Sequence, residues 1–172
     1  MVYKIVRYGN PVLEHEGQNV TNFNTPELDR FIADMFETMY SAKGVGLAAP
    51  QVGVSQKLTV IDCGRGEDEE PAPLVLINPE VIYREGKQVG EEGCLSIPGF
   101  REDVKRAKVA TVRAQNAQGE FFEITGDDLL ARAMQHEIDH LYGKLFLSYL
   151  SPLKRDVIKR RIRKLIKAGE WD

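Results

Sequence analysis

The chain is predicted to fold as an α+β domain, with mostly antiparallel sheets packed around a central HExxH-type metal-binding helix and with an N-terminal and a C-terminal amphipathic helix on either side. Three observations predict this. Apolar residues recur at helical spacing before Gly44, short branched and aromatic runs fill the middle, and helical spacing returns beyond Asp127. At 172 residues, with no linker-like change in composition, the sequence predicts a single domain over 1–172.

Thr25-Pro26 supplies a capping hydroxyl and a proline suited to the first helical turn. Leu28, Phe31, Ile32, Met35, Phe36, Met39 and Tyr40 then form one stripe, read as packing rather than chemistry. Strands are predicted at 58–61, 74–77, 81–83, 109–112 and 121–124, where branched or aromatic residues lie between glycines and prolines. Asn116-Ala117-Gln118-Gly119 is a hairpin loop joining the last two. Asp127 or Asp128 caps the next helix, which draws its apolar surface from Leu129, Leu130, Ala133 and Met134 and stops at Gly143. Ser151-Pro152 opens a last helix over about 152–168, where Leu153, Val157, Ile158, Ile162, Leu165 and Ile166 line one side of a Lys/Arg surface. The stretch from Gly64 to Pro73 is the one disorder-prone loop.

Composition excludes several classes. Charged residues interrupt every apolar run well short of the roughly 18 residues of a membrane span. Neither a signal peptide nor a membrane partner is expected. Two cysteines, Cys63 and Cys94, are too few for a disulfide framework, which favours reduced thiols in a cytoplasmic setting. The net charge of −3 is unevenly distributed: Glu67 to Glu70 form an acidic patch and Lys154 to Lys167 a basic one. A solvated face is the plain explanation of the basic run.

The chemistry concentrates in Gln135-His136-Glu137-Ile138-Asp139-His140. Histidines four apart on a helix share one face, so both rings can reach one ion. Glu137 points about 100° away from His136 around the axis, a direction suited to a general base and not to a third ligand. Nothing convincing follows downstream, and the one other histidine is His15, so the missing ligand is sought upstream. Cys94, after Gly93 in a turn-like setting, completes a Cys-His-His set with an open position, the form of a catalytic centre. Cys63 is the candidate for a fourth, closing ligand, although its alternating strand favours core packing. Gly44-Val45-Gly46-Leu47-Ala48-Ala49-Pro50-Gln51 has small residues that let backbone approach another chain, and in Gln51 a neutral amide able to hold an oxyanion.

Together, Gly44 to Gln51, Glu92-Gly93-Cys94-Leu95-Ser96 and Gln135 to His140 resemble, in order and spacing, the three motifs of the peptide deformylases. The resemblance extends from Arg7-Tyr8-Gly9-Asn10-Pro11 to the final basic helix and is to the type 1 bacterial form, without the insertions of type 2. It implies a metal-dependent hydrolase that removes the formyl group from the N-terminal formylmethionine of nascent polypeptides. On this resemblance Cys94, His136 and His140 hold one divalent metal, natively Fe2+, with Ni2+, Co2+ or Zn2+ able to substitute. A metal-activated hydroxide would attack the formyl carbonyl. Glu137 would be general base and acid, with Gln51 and the Leu95 backbone N–H stabilising the oxyanion.

Val45, Gly46, Leu129, Arg132 and Ala133 are the expected lining of a methionine pocket. Gln135 and Asp139 are placed to orient ligands, and Glu92 and Arg106 to pair behind the cysteine. Formylated nascent peptides are the expected partners, with transient ribosome contact through the basic helix and no DNA. Two other readings remain: an HExxH aminopeptidase with a downstream ligand, and a non-enzymatic zinc module closed by Cys63, binding RNA through its basic tail.

Overall fold

The computed structural model describes residues 1–64 and 69–172, so the acidic patch and the disorder-prone loop lie partly outside the described residues. Helix α1 spans Pro26–Ser41, and the Thr25 side chain accepts the Leu28 N–H as its N-cap. Seven strands follow: β1 Gly46–Ala48, β2 Leu58–Asp62, β3 Pro73–Glu85, β4 Gln88–Cys94, β5 Ile97–Arg106, β6 Val109–Gln115 and β7 Phe121–Asp127. Helices α2, Asp128–Leu141, and α3, Pro152–Lys167, complete the regular elements.

β1, β2, β3, β6 and β7 form an antiparallel sheet in that order, while β4 and β5 make a separate two-stranded ribbon. β2 is buried along its whole length, which its alternation explains. Leu58 and Val60 join Leu28, Met35 and Met39 of α1 in one apolar cluster, whereas Ile61 joins Ala131, Met134 and Ile138 of α2 in another. Successive side chains leave a strand on opposite faces, so the two helices cover opposite sides of the sheet. A third cluster gathers Leu13, Ile97, Val104, Phe146, Ile158, Ile162 and Trp171 where the ribbon meets α3.

Several predicted boundaries change. The strands predicted at 74–77 and 81–83 are one strand, β3, with an irregular register between Ile77 and Glu80. Asn78 turns there at φ 50°, and its side chain accepts from Val20 N–H and donates to Val20 O and Gln115 Oε1. Those bonds replace the ladder that Pro79 cannot continue. Asp127 holds the N-cap position of α2 without a side-chain hydrogen bond. Gly143 follows that helix at φ 77°, where a Cβ would lie 2.8 Å from Glu14 backbone, so only glycine fits.

α3 buries less than its stripe suggests. Ile158 and Ile162 are interior, but Leu153, Val157 and Ile166 are exposed. Trp171, just beyond α3, is buried against Phe100.

Candidate metal centre

Cys94 comes from the end of β4, and His136 and His140 from the second half of α2. Their ligand atoms all lie within 4.8 Å of one another. His136 Nε2 is 3.2 Å from His140 Nε2, which is 3.4 Å from Cys94 Sγ. A tetrahedral ion with bonds of about 2.0 to 2.1 Å to nitrogen and about 2.3 Å to sulfur would set these edges at roughly 3.3 and 3.6 Å. The three donors therefore fit one ion almost as they stand. Burial and the neighbouring His136 drive His140 well below the usual imidazole range, whereas His136, despite its burial, is held well above it by its bonds to Cys94 and Glu92, and an ion binding there would displace that proton.

Glu137 projects beside this triangle. Among the described residues its Oε1 is buried without a hydrogen-bond partner, and burial, opposed by His136, pushes its carboxyl up to about 7. The glycines of the first motif make room for it. A Cβ on Gly46 would fall 2.7 Å from Glu137 Oε2, and one on Gly44 would fall 2.8 Å from Leu95 Cδ1. Gln51 is buried on the 3-10 turn Ala49–Val52, with Oε1 accepting from Ala48 N–H. Its Nε2 points to Ser96 Oγ at 3.2 Å and to Cys94 Sγ at 3.5 Å. Val45, Gly46, Gln51, Cys94, Leu95, Leu129, Arg132, Ala133, His136 and Glu137 all border one cleft of about 880 Å³.

The polypeptide deformylase family model matches residues 2–156. The chain belongs to the polypeptide deformylase family. A curated peptide deformylase from Acidobacterium capsulatum is 57% identical over 171 residues, covering 99% of both chains. The crystal structure of a peptide deformylase from Legionella pneumophila matches with a TM-score of 0.89 at 44% identity, over 100% of this chain and 99% of that one. The deformylase structure from Thermus thermophilus matches with a TM-score of 0.86 at 41% identity, over 98% of each chain.

Behind the ligands of this deformylase-family site lies a buried ionic network. The Glu92 carboxylate accepts from Arg106 Nε and Nη2, from Arg132 Nη1 and from His136 Nδ1. Burial alone would raise Glu92, but the Arg106 and His136 bonds outweigh it and hold the carboxyl at about 2. Arg106 Nη1 also reaches Asp139, which accepts from Tyr149 OH as well. The predicted Glu92–Arg106 pair is thus present, and Asp139 is part of it. Gln135 instead holds the end of β5, donating to Ala107 O and accepting Ala107 N–H.

Arg132 borders the cleft as predicted, but its guanidinium is occupied by Glu92 and by Val104 O, leaving mainly its stem for an apolar ligand. Ser96, fully buried and bonded to Gln51, is a site residue that the sequence does not single out, although it stands in the second motif. Cys63 does not join the metal group; it packs against the cluster of Ile61, Ala131 and Met134 on the α2 side of the sheet. A zinc module closed by that thiol has no support in this arrangement.

Proposed function

We propose that residues 1–172 act as one catalytic domain that hydrolyses the formyl group from the N-terminal formylmethionine of nascent polypeptides, releasing formate and a free amine. The observation that carries this reading is a buried Glu137 Oε1, unpartnered among the described residues, beside a Cys-His-His triangle open to a cleft. Cys94, His136 and His140 would hold one divalent ion, with Fe2+ the proposed native metal and Ni2+, Co2+ or Zn2+ able to use the same donors. When bound, such an ion supplies a Lewis acid that polarises a carbonyl and acidifies water.

The protein's own groups then have distinct tasks. Glu137 takes the proton of the attacking water and returns it to the leaving nitrogen as the C–N bond breaks. The Gln51 side-chain amide and the Leu95 backbone N–H donate to the developing oxyanion. Val45, Gly46, Leu129, Ala133 and the stem of Arg132 would receive the methionine side chain. β1 is an edge strand, so a peptide laid in extended form along Gly44 to Gly46 could bond to its backbone, with little demand on later residues.

The finer setting proposed is the cytoplasm, with transient ribosome contact through α3. Among the described residues no helix is long and apolar enough to cross a membrane. The test compares a formylated peptide with its unformylated twin, using anaerobically purified protein of measured metal content. Formate release that follows iron content and falls at least about a hundredfold in Glu137→Gln supports the reading. Release of the first residue from the unformylated twin alone would identify an aminopeptidase instead, and equal cleavage of both peptides at an internal bond another HExxH peptidase.

A further inference from the structure

The two groups assigned to the oxyanion lie on separate elements, Gln51 on a 3-10 turn and Leu95 in the corner between β4 and β5. That corner is irregular. Cys94 pairs directly with Ile97, so Leu95 and Ser96 stand outside the ladder and their carbonyls need partners from elsewhere. Three consecutive residues near the start of the chain bond to both elements. Val6 N–H donates to Gln51 O at 2.8 Å, Arg7 Nη1 reaches Leu95 O at 3.4 Å, and Tyr8 N–H donates to Ser96 O at 2.8 Å.

We propose that Val6 to Tyr8 form a strap that sets the spacing between the two oxyanion donors, with Arg7 as its positioning residue. The inference rests on the oxyanion roles proposed above for Gln51 and Leu95. The Arg7 bond is long, but the short backbone bonds on either side fix the register that aims the guanidinium at the Leu95 carbonyl. Holding that carbonyl limits rotation of the corner that carries the Leu95 N–H. Arg7 also borders the cleft, and among the described residues its Nε is buried without a partner. At its outer end the strap is tied down by Trp171, whose Nε1–H donates to Tyr8 O at 2.8 Å. A continuous set of bonds therefore runs from Trp171 through Tyr8 and Ser96 to the Gln51 amide.

The experiment measures steady-state hydrolysis of formyl-Met-Ala-Ser by metal-loaded enzyme, together with inhibition by the product Met-Ala-Ser, which presents no oxyanion. Losing an oxyanion donor outright costs about a hundredfold or more, so loosening one in Arg7→Met should lower kcat by about tenfold. KM and the product inhibition constant should stay within about twofold, because ground-state binding is untouched. Arg7→Lys, which returns a donor, should recover most of the loss. Unchanged kcat in Arg7→Met overturns the strap, as does a joint worsening of kcat, KM and product binding with a lower melting midpoint.

Should Arg7→Met not fold, Trp171→Phe keeps an aromatic ring on Phe100 and removes only the N–H. A kcat lowered by about threefold at unchanged KM supports the proposal, and full kcat overturns it. Gln51→Ala separates this inference from the reading beneath it. If Gln51→Ala keeps full kcat, the oxyanion assignment fails and takes the strap with it, whereas loss in Gln51→Ala beside full kcat in Arg7→Met overturns the strap alone.

Discussion

Gly46 illustrates how one absent side chain sets the position of the proposed general base. Its Cα faces the Glu137 carboxylate so closely that any Cβ would overlap it, at 2.7 Å from Oε2 and 2.8 Å from Cγ. Gly46→Ala should therefore displace Glu137 while leaving Cys94, His136 and His140 in place. Misplacing a catalytic group by about 1 Å can cost a hundredfold, so kcat should fall by at least about tenfold with metal content unchanged. Parallel kinetics and metal analysis check this, and full activity in the variant would refute it.

Cys63 illustrates the opposite case, a thiol kept quiet by its surroundings. Burial, reinforced by Asp62, pushes it up to about 11. The nucleophile is the thiolate, so raising the pKa makes the reactive form scarce at pH 8 and shifts its appearance to more alkaline solution. Iodoacetamide labelling of Cys63, followed by mass spectrometry, should be slower than that of free cysteine at pH 8 and climb steadily toward pH 11. Labelling at pH 8 as fast as free cysteine would contradict it.

At the level of elements, the ribbon β4–β5 is joined to α2 by charge rather than by an apolar seam. Arg106 on β5 bonds to Glu92 on β4 and to Asp139 on α2, and all three lie largely out of solvent. Removing one member of a buried pair strands the others, which costs about 3 to 5 kcal/mol. The Arg101–Glu91 pair on the same ribbon is 60% and 61% exposed and should be worth less than about 1 kcal/mol. Urea denaturation should therefore show Arg106→Leu to be strongly destabilised and Arg101→Leu nearly neutral, and equal effects would mean that burial does not decide the matter. This construction also explains why the ribbon is hard to read in the sequence. Glu91-Glu92 and Arg101-Glu102-Asp103 offer no apolar alternation, because the inward position holds Glu92 instead of a hydrophobe. β1, at three residues, is too short for a periodic signal. By contrast α1 and α2 are legible because their stripes are long and their ends are marked by Thr25-Pro26 and Gly143. The His136–His140 pair is legible because residues four apart on a helix share one face, and Cys94 because no downstream residue completes the set and the second motif carries it. The partners of Arg132 are not, since nothing local shows that Glu92 lies across the ribbon.

For the molecule as a whole, the basic run on α3 is an outer face laid over a structural element. Arg160, Arg163, Lys164 and Lys167 are exposed, whereas Ile158, Ile162 and the following Trp171 are part of the third apolar cluster. Deleting everything after Ser151 is the simplest test of ribosome contact, but it would spare short-peptide hydrolysis only if α3 were a free-standing tail. It is not one: deletion would expose Phe146 and Val104 and release Tyr8 from Trp171. Replacing these four of the helix's exposed basic residues by alanine changes charge without opening the core, because none of them packs inward. Hydrolysis of formyl-Met-Ala-Ser should then stay within about twofold of the parent, while ribosome association weakens. Each phosphate no longer neutralised by a side chain should also reduce the slope of log affinity against log salt by roughly one. The deletion, in contrast, should lower both hydrolysis and the melting midpoint. Co-sedimentation with ribosomes over a salt series reads the first effect and peptide kinetics the second. Unaltered, salt-independent sedimentation of the four-alanine variant would leave the basic face as a solvated surface with no role in docking.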